Sequence, residues 1–83
     1  MNVGTTLFDA RVAAGLSLDE LADKCKLRAT ILAAMESGDF SHCGGFVYAR
    51  GQLRAIAPLL NLDPEALVDA FAVEVESGLH GSE

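Results

Sequence analysis

Eighty-three residues allow one domain with a small, efficient core, because a chain this short buries a limited share of its surface. Hydrophobic residues make up 51%, many of them the helix formers Ala and Leu, yet no run approaches the roughly 18–20 apolar residues of a membrane span, and no secretory signal opens the chain. The net charge of −6 excludes the basic stripe with which a dedicated DNA binder neutralises phosphates. Its distribution is uneven. Residues 1–61 balance Arg11, Lys24, Lys26, Arg28, Arg50 and Arg54 against Asp9, Asp19, Glu20, Asp23, Glu36 and Asp39. The excess comes from Asp63, Glu65, Asp69, Glu74, Glu76 and Glu83.

In chain order, Thr5 or Thr6 caps a first helix running to about Ala14, with Leu7, Ala10 and Ala14 on one face. Gly15 stops it in the left-handed conformation. Ser17 caps the next helix, about Leu18–Lys24, with Glu20 placed to close a capping box and Leu18, Leu21, Ala22 and Cys25 apolar. A sharp turn separates Lys24 from Arg28. Helix three follows over about Ala29–Ser37, with Ile31, Leu32 and Met35 inward, and stops at Gly38. Two short helices about a tight turn, inside an all-helical chain, are the pattern of a helix-turn-helix.

Asp39 to Phe46 reads as a loop punctuated by Gly44-Gly45. Helix four spans about Val47–Leu60, with Ala49, Leu53, Ile56, Ala57 and Leu60 at helical spacing; Pro58 bends its last turn. Asp63 and Pro64 then start helix five, as N-cap and first helical residue, with Leu67, Val68, Phe71 and Val75 as its buried stripe. The domain therefore spans residues 1–76, and 77–83 reads as the start of a linker.

Residue types argue against catalysis. No nucleophile, base and acid converge at helical spacing, and no Lys-Ser or Lys-Thr follows Gly44-Gly45, so no phosphate loop is present. His42 beside Cys43 lacks a matching second pair of ligands, so no metal or cofactor is expected. Cys25, following an apolar face, is expected to be buried and inert, whereas Cys43 in the Gly-rich loop is expected to react.

Several phrases resemble the N-terminal cytoplasmic domain of RodZ-type proteins, a branch of the lambda-repressor-like superfamily. They are Gly4-Thr5-Thr6-Leu7, Ala10-Arg11, Gly15-Leu16-Ser17-Leu18, Glu36-Ser37-Gly38-Asp39-Phe40, Tyr48-Ala49-Arg50-Gly51, Leu53-Arg54 and Leu62-Asp63-Pro64. Tyr48 to Arg54 is the most specific, since generic repressor domains do not carry it. The resemblance implies an all-α, five-helix lambda-repressor-like bundle. It also implies a cytoplasmic head at the inner face of the membrane, joined to a membrane span beyond residue 83, that docks a protein partner, in the family a bacterial actin-like filament protein.

Filament-binding members of that family carry an aromatic after the glycine of helix four and another four residues later; here those positions are Gln52 and Ile56. Tyr48, Arg50, Gln52 and Ile56 are therefore the candidate partner-binding residues. Ile56 also fits the core stripe, and either Phe46 or Tyr48 closes the core. Arg50 and Arg54 share a face and serve either an acidic partner or carboxylates of helix five. Gly51 costs about 1 kcal/mol within a helix, which points to close approach by a partner or by a neighbouring helix. The alternative is DNA binding through Arg28, Ala29, Thr30 and Ala33 of helix three. Of these only Arg28 is a side chain that reads base edges by paired hydrogen bonds.

Overall fold

The computed structural model describes residues 2–76; the segment 77–83, read above as a linker, lies outside the described residues. Within them the architecture is five α-helices and no strand: α1 (Val3–Ala13), α2 (Leu18–Cys25), α3 (Ala29–Glu36), α4 (Phe46–Ile56) and α5 (Pro64–Glu76). Short 3₁₀ turns occupy Ser41–Cys43 and Ala57–Leu60.

The ends of the first three helices follow from local chemistry. Asn2, not Thr5 or Thr6, caps α1: its side chain accepts from the Thr5 N–H at 2.8 Å, and the Thr6 hydroxyl donates to the Asn2 carbonyl at 2.9 Å. The helix starts early because Val3 and Gly4 are themselves core residues. Gly15 takes φ +75° and ends the turn. The capping box forms as expected, the Ser17 N–H donating to Glu20 at 2.8 Å and the Glu20 N–H to the Ser17 hydroxyl at 3.1 Å. Lys26, at φ 63°, supplies the left-handed residue that ends α2. Gly38, at φ +92°, follows the end of α3.

One apolar core joins all five helices, centred on Leu7, Leu21, Leu32, Met35, Leu53 and Ile56. Gly4 is the tightest point. A Cβ there would lie 2.6 Å from the Glu36 carbonyl oxygen and 2.8 Å from that of Met35. Glycine is thus what lets α1 seat on the end of α3. Beside this contact Arg11 grips Glu36 through Nε at 2.6 Å and Nη2 at 3.1 Å, while its Nη1 donates to the Leu16 carbonyl at 2.9 Å. The pair ties α1, α3 and the intervening turn together, and the Glu36 hydrogen bond raises the Arg11 pKa above its ordinary value.

Three expectations change in the second half. Helix four ends at Ile56 and continues as a 3₁₀ turn to Leu60, because Pro58 has no N–H with which to extend the α ladder. On α5, Val75 is exposed and Glu74 is buried. The Glu74 carboxylate accepts from the Val3 N–H, one of the orphan donors at the start of α1, so a charge takes the place that the spacing assigned to an apolar residue. The cysteines also exchange roles. The Ser41–Cys43 turn carries Cys43 into the core, while Cys25 is half-buried. Burial pushes both thiols up, and Asp39 adds to the rise at Cys43, so neither is activated.

Candidate interaction surfaces

Two helices present the surfaces expected to meet a partner. Helix α4 is amphipathic, with Ala49, Leu53 and Ile56 buried beneath it. Gly45, in a conformation with φ +119°, introduces it without a side-chain cap. The ring of Phe46 stacks on Phe71 of α5, centroids 5.5 Å apart and planes 15° from parallel, and Phe71 meets Phe40 at 4.7 Å. Phe46 is therefore the aromatic that closes the core over the loop. Tyr48 is the outward one, 68% exposed beside Val47 at 71%.

The expected partner-binding residues separate accordingly. Tyr48 stands on the surface. Arg50 is half-buried, its guanidinium 5.4 Å from the centroid of the Phe46 ring. Gln52 is half-buried and folded back, its Nε2 donating to the Cys43 carbonyl at 3.5 Å. Ile56 is completely buried, which corrects its expected outward place. It lies seven residues after Ala49 and three after Leu53, so the helical repeat carries it onto the same inward stripe. Arg54 pairs with Glu65 of α5 at 3.3 Å, the carboxylate alternative for that side chain.

Gly51 is exposed, and a Cβ there would meet nothing within 4 Å. Packing of a neighbouring helix within this fold is therefore not the reason for glycine at 51. Val47 escaped the sequence reading, although its position four residues before Gly51 is the signal that marks it as outward.

On α3, Arg28, Thr30 and Ala33 are exposed and Ala29 is half-buried. The helix thus presents the surface that a DNA-reading helix presents, with one long polar side chain at its start and small residues along the rest. His42 stands opposite, its Nε2 3.5 Å from Asp39. Among the described residues no group of three His, Cys, Asp or Glu side chains is placed to hold a metal ion.

A capped α2, a left-handed turn at Lys26 and an α3 packed on α1 define a helix-turn-helix domain, a binding architecture. Residues 6–67 match the family model described as a helix-turn-helix domain, and the chain belongs to that family in its RodZ-like form. It is 38% identical over 69 residues to the cytoskeleton protein RodZ of Streptococcus pneumoniae, the match taking in 83% of this chain and 25% of that relative. The chain thus spans about a quarter of the length of the curated relative it matches. No solved structure matches it. No helix among the described residues is long and apolar enough to cross a membrane.

Proposed function

We propose that this domain is the protein-interaction head of a RodZ-like, membrane-anchored cell-shape or envelope protein, docking a cytoplasmic partner through the outward face of α4. The observation that carries the reading is the exposed pair Val47 and Tyr48 beside Gly51, on a helix whose opposite face is wholly committed to the core. An exposed aromatic next to a residue without a side chain suits close approach by another protein, since aromatic anchors commonly dominate interface energetics. Tyr48 stands one turn before Gln52 and supplies an outward aromatic on the helix where filament-binding relatives carry theirs. Arg50 and Gln52 flank it, while Ile56 acts from beneath by holding the helix in place. The partner class that the family suggests is an actin-like filament protein, and membrane attachment comes through a segment beyond residue 83. The role requires no cofactor, small-molecule substrate or catalysis.

Co-sedimentation with the polymerised actin-like filament protein of the same cell tests the reading. The wild-type chain pellets with filaments. Tyr48→Glu stays in the supernatant, with a stability change within about ±0.5 kcal/mol, as for other exposed substitutions. Full-strength pelleting of a folded Tyr48→Glu variant sinks the assignment of this face.

A further inference from the structure

A second surface lies at the α2–α3 turn, apart from the α4 face, and the proposed docking makes no use of it. Lys24, Lys26 and Arg28 are all exposed there within five residues. Glu20, one turn back on α2, acts on Lys24 through its charge. Lys26 and Arg28 form no ion pair among the described residues. Arg28 also lines a depression of about 370 Å³ together with Thr30, Ile31, Ala34 and His42. The depression therefore combines a guanidinium, a hydroxyl and an imidazole over an apolar floor. Arg28 and Thr30 come from the start of α3, and His42 comes from the 3₁₀ turn after it.

That combination suits a phosphate: the guanidinium supplies a forked donor and the hydroxyl a short one, and Lys26 adds charge two residues away. We infer that the corner formed by Lys26, Arg28, Thr30 and His42 binds the phosphate headgroup of an anionic phospholipid. Duplex DNA fits less well. A DNA interface commonly neutralises six to ten phosphates. The remaining basic side chains of the domain are engaged elsewhere: Arg11 with Glu36, Arg54 with Glu65, and Arg50 over Phe46. A headgroup needs one depression and a small patch of positive charge.

The acidic excess does not cancel this patch. Helix α5 packs on α1, α4 and the 57–60 turn, and the molecule is 33 Å long. At physiological salt the Debye length is about 8 Å, so exposed charges act over a fraction of that length. Asp39 is the one carboxylate that touches the site, through His42. It opposes the ligand.

Flotation of the 83-residue chain with phosphatidylcholine vesicles, with and without phosphatidylglycerol, tests the inference. The chain floats only with the phosphatidylglycerol vesicles and is released by salt. Neutralising an exposed cation lowers partitioning about fivefold, so Lys26→Gln with Arg28→Gln lowers it roughly 25-fold. Thr30→Ala weakens binding further, and Asp39→Asn strengthens it. Circular dichroism establishes that each variant is folded. Equal flotation with both vesicle types, or phosphatidylglycerol binding unchanged in the double variant, overturns the proposal. So does a shift of the Thr30 and His42 resonances by inorganic phosphate without vesicle binding, which assigns the site to a free anion. Fluorescence anisotropy with duplex DNA is the remaining arm: DNA binding tighter than vesicle binding, with the same variant sensitivity, assigns the corner to nucleic acid.

Discussion

Helices α3 and α4 are built alike on their inner faces and differ on their outer ones. Both bury an apolar stripe, Leu32 and Met35 in α3, Ala49, Leu53 and Ile56 in α4. Outward, α3 shows Arg28, Thr30 and Ala33, whereas α4 shows Val47, Tyr48, Gly51 and Ala55. A helix-turn-helix is thus maintained by its inward residues and helix ends. Its outward faces are free to change from reading bases to meeting other surfaces. In this chain the small side chains stand on the helix that reads DNA in helix-turn-helix proteins, and the exposed aromatic stands on the next helix.

The sharpest test of that division sets the two faces of α4 against each other. Ile56→Glu places an unpaired charge in the core and costs on the order of 4 kcal/mol or more, enough to unfold a small domain. Tyr48→Glu leaves the melting temperature nearly unchanged. Thermal melts followed by circular dichroism distinguish them, and a folded Ile56→Glu would break the assignment of α4's inner face.

Next in size is the seat of α1 on the end of α3. Gly4→Ala forces a Cβ against two backbone carbonyls, and backbone yields less readily than a side chain. A loss of about 2–3 kcal/mol is expected from this overpacking, read by urea denaturation. A neutral result would show that α3's position does not depend on this contact.

Gly51→Ala has the opposite sign. Its Cβ meets nothing within 4 Å, so it raises stability by about 0.5–1 kcal/mol through helix propensity. Filament co-sedimentation should weaken in the same variant, because the added methyl stands where the partner approaches. Increased stability with undiminished binding would separate Gly51 from the partner face.

The smallest effect concerns the start of α2. The Ser17 backbone and side-chain hydrogen bonds hold the Glu20 carboxyl below the ordinary carboxylate range. A carboxyl lowered by folding stabilises the folded state above its unfolded pKa and loses that contribution as pH falls through its folded pKa. Wild-type stability should therefore decline more steeply over that acid window than that of Glu20→Gln, which keeps a capping side chain without a titrating proton. Parallel pH profiles of melting temperature would mean that the carboxylate contributes nothing to the cap.

The fold was legible wherever the signal is local. Ser17 and Glu20 announce a capping box within four residues, Gly15 announces a left-handed turn, and Asp63-Pro64 announces the start of α5. The expected inward positions of α4 are all buried, since helical spacing alone orders them. The candidate site was less legible. Ile56 had to be both core and surface until the repeat was anchored on Ala49 and Leu53. Phe46 and Tyr48 flank the start of α4 equally in sequence, and only the presence of Phe71 under one of them separates the two. Cys43 looked exposed because two glycines follow it, yet the 3₁₀ turn folds it inward.

By itself the sequence determined the number and order of the helices, their caps and stops, the neutral charge of residues 1–61 and the acidic excess after them. These depend on hydrogen bonds and apolar spacing within a few residues of each position. Tertiary structure alone decided that Glu74 replaces Val75 on the buried side of α5, that Arg11 is held by Glu36, and that Gly4 receives the end of α3 while Gly51 faces open space. Each of those outcomes depends on which groups from distant parts of the chain arrive at the same place. A carboxylate is buried where an orphan N–H meets it, and a glycine is a packing contact or an open face according to the helix opposite.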